Sequence, residues 1–198
     1  MTHVTPSTML MQALKQFEPQ SKGSRVQLNE VVLSGAEDAL TAGDAELVIG
    51  ARAPSGFLGA HLITIDIIAV AHPGHALHKL KRSITVDDLE KHLQVIIRDS
   101  GYIRKMDFGW LQAKHQWSVS SIDTAVTAIS NGLGFGWLPR HIINSQDGNN
   151  NLQPLALREG QQYRAPLQII FGDSENAGPA TRTLANIIKD VVARSQRD

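Results

Sequence analysis

The stretch NGLGFGWLPRH, residues 131–141, alternates three glycines with apolar residues before it reaches a proline. Successive residues of a strand point to opposite faces, so Gly132, Gly134 and Gly136 would share one face. Glycine inside a strand lowers its stability and marks a bulge, a bend, or a close approach by a ligand or another backbone. The stretch therefore predicts a strand whose glycine face lies against a close neighbour.

The glycines admit two other interpretations. A dinucleotide-binding fingerprint has its glycines after a strand and at the start of a helix, whereas these follow a helical run, residues 123–131, and lead into Leu138-Pro139. A tight helix-to-strand turn packed under a neighbouring helix explains the same residues by packing alone. The order of the residues disfavours the fingerprint and leaves packing and ligand approach open.

The composition is that of a globular chain. It has 198 residues, 42% hydrophobic and 19% charged, which is enough for one large domain or two small lobes. Nineteen basic residues balance nineteen acidic ones, so no basic field indicates a nucleic-acid surface. The chain has no cysteine, which excludes disulfides, thiolate metal sites and a thiol nucleophile.

No segment of the sequence predicts a membrane span or a leader peptide. The first residues lack a basic segment followed by an apolar core, and the longest apolar run, Ile67 to Ala71, is far too short to cross a bilayer. The sequence therefore predicts a soluble chain, and we expect a cytoplasmic location.

The first seventy residues predict a β/α order. A helix begins at Thr5-Pro6-Ser7, because apolar residues follow it at helical spacing as far as Phe17. Ser34 and Glu37 resemble a capping box that opens a short helix ending at Gly43. Strands are predicted on both sides of that helix, at 25–33 and 45–50, and a longer strand at 61–71. Strand, helix, strand is the unit of a parallel sheet.

The remaining residues repeat this order. They predict a capped helix within 83–92, a strand in 93–101, a strand edge and capped helix in 117–132, the glycine-rich strand, strands at 152–158 and 165–172, and a helix at 179–195. The β/α pattern thus occurs twice, which predicts an α/β fold with two lobes. We expect lobe I to be 1–70 plus 166–198 and lobe II to be 71–165.

Five segments, in order along nearly the whole chain, resemble the effector-binding domain of LysR-type transcriptional regulators. They are TPSTMLMQALKQFEP (5–19), EDALTAGDAELVIG (37–50), VAHPGHALHK (70–79), ITVDDLEKH (84–92) and AISNGLGFGWLPRHI (128–142). The resemblance implies two Rossmann-like lobes of the type 2 periplasmic-binding-protein-like class, with an inter-lobe cleft that binds a small-molecule effector. The family's N-terminal winged helix-turn-helix and most of its first strand have no counterpart in these residues.

The resemblance also implies a function. The parent protein would regulate transcription, contacting DNA only through the missing N-terminal domain, and this part would sense the effector and mediate oligomerisation without a cofactor. We expect a homodimer or tetramer, with Met9, Leu10, Ala13 and Leu14 as candidates for the paired surface. A solute-binding protein of a transport system, which shares the two-lobe architecture, is the alternative.

Three predicted helix starts carry hydroxyl side chains, and helix starts favour anions. Ordinary N-capping explains each of them equally well. The resemblance places the matching loops around the effector cleft, with Gly136 and Trp137 nearby. The predicted effector-binding residues are Thr5, Pro6, Ser7, Arg98, Ser100, Gly101, Ser120, Ser121, Gly136 and Trp137, with His3 as a further source of charge. We expect the effector to be a small anion, most simply a carboxylate.

Other candidate sites are weaker. His72, His75 and His78 offer three imidazoles that could hold Zn²⁺, although their spacing is unspecific, so we predict no metal site. Trp110 and Trp117 fit an aromatic wall of the site or the core equally well. The sequence contains no nucleophile elbow, phosphate-binding loop or zinc-protease motif, so we predict no catalytic residues and no enzymatic activity.

Overall fold

The computed structural model describes residues 7–103, 113–143, 151–160 and 162–196. Within these ranges it is a mixed α/β structure. In chain order its helices and strands are α1 (Ser7–Phe17), α2 (Gly35–Thr41), β1 (Leu47–Gly50), β2 (Gly59–Ala71), α3 (Val86–Leu89), β3 (Leu93–Ile97), β4 (His115–Val119), α4 (Ile122–Ser130), β5 (Phe135–Pro139), α5 (Arg140–Ile143), β6 (Gln153–Pro154), β7 (Gln162–Phe171) and α6 (Pro179–Ser195).

The chain forms two compact units. Unit 1 comprises residues 1–64, 100–105 and 166–198, and unit 2 comprises residues 65–99 and 106–165. Strands β2 and β7 each begin in one unit and end in the other.

Two amphipathic helices form much of the core of unit 1. Helix α1 contacts α6, and apolar residues spaced three or four apart bury their side chains on both helices. The buried residues are Leu10, Ala13 and Phe17 of α1 and Ala185, Ile188, Val191 and Val192 of α6. Both helices were predicted from their periodicity, and both predictions are confirmed.

The predicted strand at 25–33 is wrong. Residues 24–30 have no regular secondary structure, and none of the strands includes them. Strand β1 was predicted within 45–50 and is confirmed, but it pairs antiparallel with β7, with Leu47 opposite Phe171. The described part of unit 1 therefore lacks the predicted parallel unit of strand, helix and strand. Alternating residues alone do not make a strand, which forms only where a neighbour binds its backbone groups.

The short helix α2 is present, but the predicted capping box at its start is not. Ser34 precedes the helix in helical rather than extended geometry, and its side chain makes no capping bond. The Glu37 carboxylate instead forms an ion pair with Arg52 at 2.7 Å. A capping box needs its first residue outside the helical region, and Ser34 does not meet that condition.

The sheet of unit 2 combines both kinds of pairing. Strand β5 lies antiparallel to β2 and parallel to β3, and β4 lies parallel to β3 on the other side. The predicted strand at 152–158 is reduced to the two residues of β6, followed by an isolated bridge between Ile84 and Leu157. The predicted capped helices are confirmed: Thr85 and Asp88 form a capping box on α3, and Ser121 caps α4.

The three glycines of the opening stretch do not share one strand face. Gly132 and Gly134 have positive φ values of 85° and 127° and lie in the turn before β5, so only Gly136 belongs to the strand. A Cβ on Gly136 would lie 2.7 Å from the carbonyl oxygen of Val95 and 3.0 Å from Ile129 Cδ1. The close neighbours are therefore β3 and α4, which confirms the packing interpretation.

Proline is favoured at the first position of a helix, and the sequence alone would place Pro139 there. It is instead the last residue of β5, and α5 begins one residue later at Arg140. The proline thus ends the strand, where a missing N–H is tolerated, rather than starting the helix.

Candidate functional site

Three parallel strands of unit 2 end at the same edge of its sheet. Ile97 lies opposite Val119 in the pairing of β3 with β4, and Gln94 lies opposite Phe135 in the pairing of β3 with β5. All three strands run in one direction, so their carboxyl ends lie together. Ligands of open α/β sheets collect beyond such ends. We call Arg98, Ser120 and Ser121, which follow β3 and β4, the carboxyl edge of unit 2.

Arg98 and Ser120 are neighbours across this edge. The backbone N–H of Arg98 donates to the carbonyl oxygen of Val119 at 2.8 Å, which extends the ladder one residue beyond β3. Ser120 is the next residue along the chain from Val119, and both Arg98 and Ser120 are exposed. A guanidinium and a hydroxyl are therefore available to a ligand at the same end of the sheet.

Ser121 connects the carboxyl edge to helix α4. Its Oγ accepts the backbone N–H of Thr124 at 3.1 Å and lies 2.8 Å from Thr124 Oγ1. This is ordinary N-capping, and it fixes the hydroxyl at the positive end of the helix. Asp123 in the first turn partly offsets that positive end for an incoming anion.

Trp137 and Gly136, the other predicted residues of unit 2, lie inside it. Trp137 is 9% exposed, and its indole N–H donates to the carbonyl oxygen of Gly160 at 3.0 Å. The indole also contacts the rings of Phe135 and Tyr163, with centroids 5.8 and 6.2 Å away. These contacts hold the indole in one position, so it can form a rigid wall but has little freedom to adjust.

Ser100 and Gly101 lie in unit 1, where they bind the segment before α2. The Ser100 hydroxyl accepts the backbone N–H of Val32 at 2.8 Å and donates to the Val32 carbonyl at 3.0 Å. Gly101 packs so closely on Ser34 that a Cβ there would collide with the Ser34 hydroxyl. Both residues therefore pack against the segment before α2. The Ser100 hydroxyl already has two main-chain partners there.

A cavity of about 370 Å³ lies beside these residues in unit 1, and sequence reasoning did not identify it. Its polar lining includes the buried Asp38, whose Oδ2 accepts the backbone N–H groups of Tyr102 and Ile103 at 2.6 and 3.2 Å. The lining residues are Ser34, Glu37, Asp38, Thr41, Arg52, Ala53, Pro54, Ser55 and Ile103. An acidic residue among the apolar positions of a predicted helix was the signal available in the sequence.

The charges of this cavity differ from those of the carboxyl edge. Glu37 and Asp38 supply two carboxylates, and Arg52, already paired with Glu37, supplies one guanidinium. Opposite charges attract and like charges repel at these distances, so this lining does not favour an anion.

The other predicted residues are not brought together by the structure. Thr5, Pro6, His3 and Trp110 lie outside the described residues. Ser7 is exposed as the first residue of α1, and Trp117 is 58% exposed on β4, so it is not part of the core.

The histidine-rich turn after β2 does not bring three metal-ligating side chains together. Among the described residues, no group of three or more histidine, aspartate or glutamate side chains has the geometry to hold a metal ion.

None of the helices in the described ranges is long and apolar enough to cross a bilayer.

Comparison with solved structures gives the same architecture in several regulators. The chain superposes on the regulatory domain of CcmR from Synechocystis PCC6803, solved with 2-PG, with a TM-score of 0.73, 16% identity, and coverage of 96% of this chain and 94% of that chain. The effector-binding domain of QuiR with shikimate superposes with a TM-score of 0.71 and 12% identity, and the match covers 98% of this chain and 94% of that chain. The effector-binding domain of BenM with benzoate superposes with a TM-score of 0.65 and 16% identity, and the match covers 96% of this chain and 88% of that chain.

At such low sequence identity, these superpositions establish only the fold. It is an α/β fold of the periplasmic-binding-protein-like class, as the resemblance implied. The chain covers 64% of full-length BenM. No curated protein sequence matches the chain.

Sequence comparison with family models gives the decisive match. The model described as the LysR substrate binding domain matches residues 1–193, almost the entire chain. The resemblance inferred from the five segments is thereby confirmed. The chain belongs to the LysR substrate-binding domain family.

Proposed function

We propose that the chain is the ligand-sensing domain of a LysR-type regulator and that it binds a small organic anion at the carboxyl edge of unit 2. The observation that carries the proposal is the placement of Arg98, Ser120 and the N-cap Ser121 at the ends of parallel strands. The inter-lobe position of the site, implied by the resemblance, stays a prediction.

The electrostatics of the carboxyl edge support an anion. A helix N-terminus favours a negative charge by about 0.3 to 1 kcal/mol at an exposed site, and a guanidinium adds hydrogen bonds roughly twice as strong as neutral ones. The formal net charge of the chain is zero, so the attraction must come from these local groups. Benzoate and shikimate, bound by two of the structural neighbours, are both carboxylates.

Arg98→Gln should weaken carboxylate binding about tenfold or more, because a hydrogen bond to a charged group contributes roughly 1.5 to 3 kcal/mol. Isothermal titration with benzoate and shikimate as probes measures this effect. Ser120→Ala should lower affinity by a smaller factor without removing a helix cap.

The matched control is Arg158→Gln, which removes another exposed guanidinium of unit 2, on a residue whose backbone N–H binds Ile84 rather than β3 or β4. Equal weakening by both arginine variants would indicate a general charge effect rather than a site. Benzamide, the neutral counterpart of benzoate, should bind more weakly. If it binds as tightly, the anion site is wrong.

We also propose that the chain forms homodimers, but part of the surface predicted for this is unavailable. Leu10 and Ala13 are 5% and 0% exposed in the core of unit 1, so they cannot contact a partner. Met11, which is 49% exposed, is the large apolar residue that α1 presents to solvent.

Met11→Glu should therefore shift the chain toward monomer, because an interface would have to desolvate the new charge. Sedimentation equilibrium over a wide concentration range measures the shift, with Lys15→Glu on the same helix as the control for added negative charge. A wild-type chain that sediments only as a monomer would contradict the dimer itself.

A further inference from the structure

Four histidines of unit 2 surround one short turn. His72, His75 and His78 lie between the end of β2 and residue 79, and His92 follows α3. The rings of His75 and His92 meet edge to face with centroids 4.9 Å apart. The proposed effector function makes no use of these side chains.

Two of these imidazoles act as hydrogen-bond acceptors for the turn. Nδ1 of His72 accepts the backbone N–H of Gly74 at 3.0 Å, and Nδ1 of His75 accepts that of Leu77 at 3.2 Å. His75 thereby caps the 3₁₀ turn at 76–79. A ring nitrogen can accept a hydrogen bond only while it carries no proton, so both rings must be neutral.

The surroundings of His75 oppose its protonation. Burial and the neighbouring His92, His78 and His72 lower its pKa to about 4. In the α3 segment before His92, the Asp88 carboxylate is paired with Arg82 at 2.6 Å and the Glu90 carboxylate with Lys114 at 3.7 Å. The buried Nε2 of His78 has no hydrogen-bond partner among the described residues.

We infer that this four-histidine turn responds to pH. The 3₁₀ turn at 76–79 stays capped and closed while the rings are neutral, and it opens when His75 takes up a proton. Protonation at Nδ1 removes the acceptor for Leu77 N–H and places a positive charge beside His92. The side chain of Leu77 is fully buried, so release of its backbone would loosen the packing of this part of unit 2.

The direction of the pH dependence follows from the lowered pKa of His75. Between about pH 6.5 and pH 4 the unfolded chain binds a proton that the folded chain does not. The stabilisation is complete above the pKa of His75 in the unfolded chain. It is lost as the pH falls through the pKa of His75 in the folded chain. The equilibrium constant for closing the turn should fall roughly a hundredfold across that range.

Amide hydrogen exchange at Leu77 in the 198-residue chain, combined with an NMR titration of the histidine rings, tests this inference. In the wild type, protection of the Leu77 amide corrected for intrinsic exchange should fall as the pH drops from about 6.5 to about 4, the range in which the open turn binds a proton at His75 that the closed turn does not. The variant His75→Asn keeps a side-chain acceptor at the cap but cannot titrate, so its protection should stay constant.

Two further variants separate a proton effect from a packing effect. His75→Ala lacks the acceptor and should leave Leu77 unprotected at every pH, whereas His92→Phe keeps a ring but removes a neighbouring charge and should raise the pH at which His75 titrates. The inference is overturned if His75 titrates at the ordinary imidazole value, or if His75→Asn loses protection with pH as the wild type does.

Discussion

Gly134→Ala is expected to lower the free energy of unfolding by about 3 to 5 kcal/mol, from backbone strain and overpacking together. The φ of Gly134 is 127°, a conformation that residues with a Cβ rarely adopt. A Cβ there would also collide with the carbonyl oxygen of Leu93, which is backbone of β3 and cannot rotate away. Urea unfolding followed by circular dichroism measures the loss.

Gly178→Ala is the matched control for that experiment. Gly178 has a φ of −62°, and no atom lies within 4 Å of the position that its Cβ would occupy. It is the N-cap of α6, where alanine is less favourable than glycine, so stability should fall, but by no more than about 1 kcal/mol. Equal losses in the two variants would contradict the packing explanation of the glycine-rich stretch.

Phe135→Ala is expected to cost about 3 to 5 kcal/mol, the usual range for truncating a buried phenylalanine. The ring is fully buried at the start of β5 and meets the Trp137 indole edge to face. The cavity left behind would also remove support for Trp137, so the fluorescence spectrum of the folded variant should shift to longer wavelength. Urea unfolding and tryptophan emission measure the two effects.

The control for the second prediction lies two residues earlier. Leu133 is 39% exposed in the turn before β5, so Leu133→Ala should cost less than about 1 kcal/mol. The sequence placed Leu133 and Phe135 on one strand face, whereas the structure separates them because the strand begins only at Phe135. Similar losses for the two truncations would support the original assignment instead.

Local patterns predicted the helices well and the sheet partly. Helices α1 and α6 were identified from the spacing of apolar residues, and α3 and α4 were predicted as capped helices, because these signals act within a few residues of the chain. The strand expected at 25–33 was wrong although its residues alternate correctly. Alternation describes a face, and only a neighbouring backbone makes that face part of a sheet.

The candidate site shows the same division. Ser121 at a helix start was predictable, since the hydroxyl binds the backbone three residues later in the same helix. The cavity around Asp38 was not, because its carboxylate binds Tyr102 and Ile103, more than sixty residues away. Ser100 stays a predicted effector-binding residue, and the partner that its hydroxyl has within the chain, Val32, is one that no local spacing could indicate.

The family and the periodic elements follow from the sequence, since both depend on residues that are close together along the chain or on motifs in a set order. Tertiary structure alone decided what the glycines face. Whether Gly136 opens toward a ligand or toward protein depends on where Val95 and Ile129 lie, and the fold places both within 3.0 Å of its missing Cβ. Glycine specifies that a neighbour comes close, and only the packing of β3 and α4 specifies which neighbour it is.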